Sequence, residues 1–152
     1  SGEEIKRGVE NASILFVNEY EWELVQKHTG LSAEQILSLV PLVVITLGKN
    51  GVKIHKNGET YLYPACTENR IVDPTGVGDA FRGGFLRGYQ MGFDLKICVQ
   101  MGNLAAVYCL ENNGPQGHVY TTRQFIERFR TFYDDQGVLD ALVDFRKVSG
   151  GV

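Results

Sequence analysis

The stretch Asp73-Pro74-Thr75-Gly76-Val77-Gly78-Asp79-Ala80-Phe81 decides how this chain is read. Two glycines flank one small residue, an acid follows at once, and a helical pattern starts there. Glycine permits a tight turn and the close approach of an anion to the backbone. At a helix N-terminus, successive N–H groups and aligned peptide dipoles converge on a negative group. Asp79 then stands where its carboxylate can meet whatever attacks that group. The plain alternative is a turn followed by an acid that caps a helix and favours its dipole. Gly83 and Gly84 add weight to the first reading. Each costs roughly 0.8–1 kcal/mol in a helix interior relative to Ala, so the pair predicts close packing against the first turns.

Working outward, the pattern predicts a polar helix over Glu3–Asn11 and a buried strand over Ser13–Val17. A helix over Asn18–His28 follows, ended by Thr29-Gly30. A short helix over Ser32–Leu39 has Ser32 as N-cap and Gln35 three residues on, a capping box. Leu42–Leu47 reads as a second buried strand. Val52–Lys56 and Thr60–Tyr63 flank Asn57-Gly58, a strong hairpin signal. Beyond the glycine run, helices are predicted over Asp79–Met91, Asp94–Asn112 and Thr122–Tyr133. The tail from Asp134 is open and ends in Ser149-Gly150-Gly151-Val152. Strands alternating with helices, then a helical block, predict a single α/β domain over residues 1–152 with a mostly parallel sheet and a β-hairpin.

Composition narrows the function classes. The 152 residues are 43% hydrophobic and 22% charged, enough for a real core and unlike a disordered chain. The net charge of −3, with 15 basic and 18 acidic residues interspersed, gives no nucleic-acid footprint. Any phosphate site must therefore use backbone dipoles, Mg²⁺ and a few local cations. Cys66, Cys98 and Cys109 form no C-x-x-C pair, which argues against zinc and a disulfide framework and for a reducing, cytoplasmic setting. The longest apolar stretch, Leu39 to Leu47, is too short to span a bilayer. An opening Ser1-Gly2 with no Met suits an expression scar or the start of a fragment.

Other phosphate motifs fail on single residues. A Rossmann fingerprint needs a third glycine where Phe81 stands. A Walker A loop needs Ser or Thr after Gly48-Lys49, where Asn50 stands, and a glycine at Val43. Protein-kinase signatures are absent from the sequence. Two further polar clusters lie at strand ends, where open α/β sheets bind ligands. Ile45-Thr46-Leu47-Gly48-Lys49-Asn50-Gly51 reads either as a ligand loop or as an ordinary strand-to-hairpin turn, with Lys49 solvated. Asn18-Glu19-Tyr20-Glu21 reads either as a ligand cluster or as an N-cap with its N3 partner.

In this order the three clusters resemble the ribokinase-like (PfkB) family of carbohydrate and nucleoside kinases. Asn18-Glu19-Tyr20-Glu21 is similar to its N-x-x-E motif, and Thr46 to Gly51 to its T-x-G-x-x-G nucleotide loop. Asp73 to Phe81 is similar to its second signature, D-T-x-G-x-G-D-x-F, with Pro74 in place of a threonine. Asn103-Leu104-Ala105-Ala106 is similar to its helix beside the adenine, and Gly114-Pro115-Gln116 to the turn that follows. The resemblance runs over residues 3 to 133 and implies a three-layer α/β/α fold. It also implies that the chain is the C-terminal, nucleotide-binding half of such an enzyme. The sugar-binding, lid-bearing N-terminal half lies outside it.

The roles that the resemblance implies are specific. Asp79 is the catalytic base toward a substrate hydroxymethyl, with the amides of Gly76, Val77, Gly78 and Asp79 as anion hole. Thr46, Gly48 and Gly51 line the ribose and phosphates of ATP, and Asn103 lies at the adenine edge. Asn18 and Glu21 position Mg²⁺ through water. Asp73 and Thr75 mark a monovalent-cation position, with K⁺ as candidate, although His118 stands where a serine is frequent. His28 and His55 are expected at the surface, and Cys98 and Cys109 in a helix core. The implied partner is a small-molecule sugar or nucleoside, with neither nucleic acid nor membrane. Two readings stay open: the nucleotide half of an ATP-dependent sugar or nucleoside kinase, or a truncated, non-catalytic nucleotide-binding or assembly module that self-associates or joins an N-terminal half.

Overall fold

A computed structural model describes residues 1–65, 77–111 and 120–143. The chain divides into two compact units, Ser1–Ala65 and Cys66–Val152.

In the first unit, helix α1 (Gly2–Asn11) leads into strand β1 (Ile14–Asn18). Helices α2 (Glu19–Thr29) and α3 (Ala33–Leu39) then carry the chain over to β2 (Leu42–Thr46). This crossover lets β1 and β2 run parallel, in register from Ile14 opposite Leu42 to Asn18 opposite Thr46. Strands β3 (Val52–Lys56) and β4 (Glu59–Tyr63) complete the order β1-β2-β3-β4. Both of their pairings are antiparallel, so the sheet is mixed, with one parallel pair. The connection from β2 to β3 is too short for a crossover, and the β3–β4 turn is tighter still. Asn57 (φ 53°) and Gly58 (φ 81°) take the left-handed conformations of a two-residue hairpin turn, as the sequence predicts.

The core of this unit follows from the apolar runs. Val9, Val17, Ile36, Val40, Val43 and Ile45 are buried together, with Trp22, Val25 and Leu31 packed against them. Strand β2 is buried on both faces from Leu42 to Ile45, as its unbroken apolar sequence demands. Both expected capping boxes form. Ser32 and Gln35 start α3, and Asn18 and Glu21 start α2.

The second unit is helical in its described residues: α4 (Val77–Gln90), α5 (Leu95–Glu111), α6 (Thr122–Phe132) and a 3₁₀ turn over Val138–Leu142. Helices α4 and α5 pack backbone to backbone. A Cβ at Gly84 would lie 2.6 Å from the Met101 carbonyl oxygen, and one at Gly102 would lie 2.7 Å from the Phe81 ring. A Cβ at Gly88 would lie 2.9 Å from Met101 Sδ. The paired glycines therefore divide: Gly84 makes room for α5, whereas among the described residues a Cβ at Gly83 would meet nothing within 4 Å.

The second core joins Ile97, Met101, Leu104 and Tyr108 of α5 to Phe125, Ile126 and Phe129 of α6 and to Leu139. Thr121 caps α6 with Gln124, a third capping box. The stretch that the sequence left open folds back through Gly137 (φ 82°) and is tied to α6 by Arg130. Cys98 is buried in the core as expected, whereas Cys109 is only half-buried; both are free thiols. Among the described residues no helix is long and apolar enough to cross a membrane.

Candidate functional site

Each unit carries part of the expected constellation. In the first, the carboxyl ends of β1 and β2 place Asn18 and Thr46 side by side as strand partners. Asn18 is exposed and Thr46 half-buried. Asn18 Oδ1 accepts a hydrogen bond from the Glu21 amide at 2.7 Å, and Glu21 Oε1 accepts one from the Asn18 amide at 2.9 Å. The plain reading of this cluster is thus realised: it starts a helix. That leaves Glu21 Oε2 outside the box on an exposed side chain. Asn18 Oδ1 accepts this one bond, which holds Glu21 in place, and keeps a second lone pair.

The glycine loop after β2 closes on itself. The Leu47 amide donates to the Gly51 carbonyl at 2.8 Å, and the Gly51 amide donates to Gly48 at 3.2 Å around a 3₁₀ turn over Gly48–Asn50. Gly51 (φ 98°) has no alternative, because a Cβ there would fall 2.0 Å from the Tyr63 carbonyl oxygen of β4. Gly48 and Lys49 are exposed and Gly51 is buried. Thr46 and the loop therefore form one rigid corner beside Asn18.

In the second unit, α4 begins at Val77, so Gly78 and Asp79 lie in its first turn, both exposed. The first amides of a helix have no intrahelical acceptor and point along the axis at an incoming anion. Among the described residues no side chain is paired with Asp79. Asn103 is a buried polar side chain on α5, 6% exposed, directly after Gly102, whose missing side chain admits the Phe81 ring. Asp73, Thr75 and Gly76, and with them the cation position and part of the anion hole, lie outside the described residues, as do Cys66, Gly114–Gln116 and His118.

Among the described residues, Arg130 and Arg128 make structural ion pairs outside these clusters. Arg130 donates to Asp135 through Nε and Nη2, both at 2.9 Å, and to Asp140 at 3.0 Å. Asp135 also accepts from the Leu139 amide at 2.9 Å. The Arg130 guanidinium, helped by the backbone amides of Leu139 and Gly137, holds the Asp135 carboxyl down to about 2 against the opposing effect of burial. Arg128 grips Glu111 with both guanidinium arms and lies 4.8 Å over the Tyr108 ring. His28 is exposed as expected. His55 is half-buried and shares a 2.9 Å hydrogen bond with Thr60; burial, then the nearby Lys53, lowers its pKa.

Among the described residues no three His, Cys, Asp or Glu side chains cluster as a metal cage. Mg²⁺ does not require one. It keeps most of its waters and takes one or two carboxylate oxygens plus phosphate. The single Glu21 oxygen outside the capping box fits that demand. The paired contacts at Arg130 were not legible in the sequence, because they join residues whose meeting depends on the Gly137 turn.

Burkholderia thailandensis nucleoside kinase, solved in complex with inosine, superposes with a TM-score of 0.78 at 36% identity, over 88% of this chain and 45% of that one. The Methanocaldococcus jannaschii nucleoside kinase structure gives 0.75 at 29% identity, over 86% of this chain and 44% of that one. By sequence, the nucleoside kinase of M. jannaschii is 30% identical over 120 residues, 79% of this chain and 40% of that protein. That of Methanothermobacter thermautotrophicus is 32% identical over 130 residues, 85% of this chain and 41% of that protein. The family of pfkB carbohydrate kinases matches residues 1–122, and the chain belongs to it. It spans 40–41% of the length of these two curated relatives.

Proposed function

We propose that this chain is the C-terminal, nucleotide-binding portion of a kinase that passes the γ-phosphoryl group of MgATP to the hydroxymethyl group of a nucleoside or sugar. The observation that carries the reading is Asp79, an exposed acid in the first turn of a helix led by glycines, within the residues matched by the family. In a loose phosphoryl-transfer transition state, positioning and charge stabilisation outweigh covalent chemistry. Asp79 orients the acceptor hydroxyl and takes its proton as oxygen attacks phosphorus. The amides of Gly76, Val77, Gly78 and Asp79 hold the transferring group, each well-aimed donor being worth about 3 kcal/mol.

Thr46, Gly48 and Gly51 receive the ribose and phosphates, and Asn103 meets the adenine edge. Mg²⁺, when bound, shields the phosphate charge; Glu21 Oε2 takes one of its waters, and Asn18 fixes Glu21 through the capping box. Asp73 and Thr75 are the proposed seat of a monovalent cation such as K⁺. A nucleoside acceptor is favoured over a free sugar because the relatives above are nucleoside kinases, one of them solved in complex with ADP-inosine. We assign the protein to the cytoplasm on its three cysteines with no framework spacing.

A second reading is a nucleotide-binding or assembly module that binds MgATP without passing on its phosphoryl group. Calorimetric titration with MgATP beside a phosphotransfer assay on inosine, adenosine and ribose separates the two. Turnover by the full-length polypeptide carrying these residues supports the kinase. Binding without turnover on any acceptor supports the module.

A further inference from the structure

Helix α4 carries glycines for two different reasons. Gly84 and Gly88 face α5, where a Cβ would collide with the Met101 carbonyl or its sulfur. Gly83 faces away: it is exposed, and among the described residues a Cβ there would touch nothing within 4 Å. Alanine is the better helix former at such a position, so the helix itself does not ask for glycine. Its place on the helix supplies another reason. Side chains four residues apart share a face, and a helical Cβ leans toward the N-terminus over the preceding turn. A side chain at position 83 would therefore rise on the same face as Asp79, its Cβ more than 4 Å from the carboxylate.

We propose that Gly83 keeps the flank of the Asp79 carboxylate clear for the acceptor, and so acts as a specificity-determining position for the alcohol substrate. The inference rests on Asp79 being the catalytic base. The space beside the carboxylate receives the ring carbons that carry the hydroxymethyl group, which lie against bare helix backbone. Nucleotide contacts are not involved.

The test is Gly83→Ala in the full-length polypeptide, measured with MgATP and inosine, beside Asp79→Asn and Gly84→Ala. Gly83→Ala is expected to raise Tm by about 2 °C through better helix propensity. It should also raise the KM for the acceptor about tenfold, the scale on which one methyl group is discriminated, with the KM for ATP unchanged. Gly84→Ala should lower Tm, since it meets the Met101 carbonyl. A raised Tm with the acceptor KM unchanged overturns the proposal. So does a lowered Tm, which would mean that a protein group fills the space, or an equal change in both KM values. Asp79→Asn separates the two layers. If it keeps full kcat, the base assignment fails and takes this inference with it; if it loses kcat while Gly83→Ala is kinetically silent, only the inference about Gly83 fails.

Discussion

Helices α2 and α4 both carry an acid as their third residue, Glu21 in one and Asp79 in the other, yet among the described residues only Glu21 is held in a capping box. Ahead of Glu21 stands Asn18, whose side chain takes the Glu21 amide while the Glu21 carboxylate takes the Asn18 amide. Ahead of Asp79 the sequence runs Gly76-Val77-Gly78, with no side chain able to return such a bond. Asp79 is also one carbon shorter than the Glu or Gln that a capping box employs. Helices α3 and α6 follow the first pattern, with Ser32–Gln35 and Thr121–Gln124. Three of the helices thus begin with a capping box, and Ser1 and Asp94 cap α1 and α5 through the Glu4 and Ile97 amides, whereas the sequence leading into α4 is Gly76-Val77-Gly78. Among the described residues no side chain is paired with Asp79, whereas Glu21 is held by its own helix start.

Committed carboxylates should matter to stability in proportion to how fully they are engaged. The largest effect is expected at Asp135, which is 3% exposed and accepts from Arg130 and from the Leu139 amide. Asp135→Ala should cost about 2 kcal/mol, because the Leu139 amide is left buried without an acceptor; chemical denaturation measures it. The same group sets an acid limit. Its folded pKa is depressed to about 2, so its contribution is full above the ordinary carboxylate range and is lost as pH falls from about 4 toward 2. Tm followed from pH 6 to pH 2.5 should fall in that window for the parent, with a shallower fall in the variant.

Asn18→Ala comes next. Removing an N-cap costs about 1 kcal/mol, and here it also frees Glu21 from its fixed rotamer. Glu21→Gln is the smallest change. Gln closes a capping box as Glu does, at Gln35 and Gln124 in this same chain, so the unfolding free energy should stay within about 0.5 kcal/mol of the parent. The Mg²⁺ concentration needed for MgATP binding, read by calorimetry, should nonetheless rise. A large stability loss in Glu21→Gln would erase the distinction drawn between capping and metal positioning.

Much of this contrast was legible from local sequence. N-x-x-E and S-x-x-Q announce capping boxes, and Asn57-Gly58 announces its hairpin, because each is a contact between residues a few positions apart. The apolar runs of β1 and β2 likewise announce strands, buried along most of β2 but in β1 only at Val17. What stayed illegible depends on distant partners. Gly51 is glycine because of the Tyr63 carbonyl, and Gly102 because of the Phe81 ring, contacts that no local pattern announces. The sheet's mixed character hangs on connection lengths rather than on the strands' own composition, and a parallel reading of buried runs overshot. Of the Gly83-Gly84 pair, only Gly84 meets the close packing that the sequence predicts.

The account turns on Asp79, and the most direct measurement is the kcat of Asp79→Asn in the full-length polypeptide, taken beside its ATP affinity by calorimetry. The uncommitted carboxylate predicts a loss of about 10²–10⁴ in kcat with ATP affinity and Tm close to the parent. A variant that keeps parental kcat, or that loses stability as a capping acid would, contradicts it.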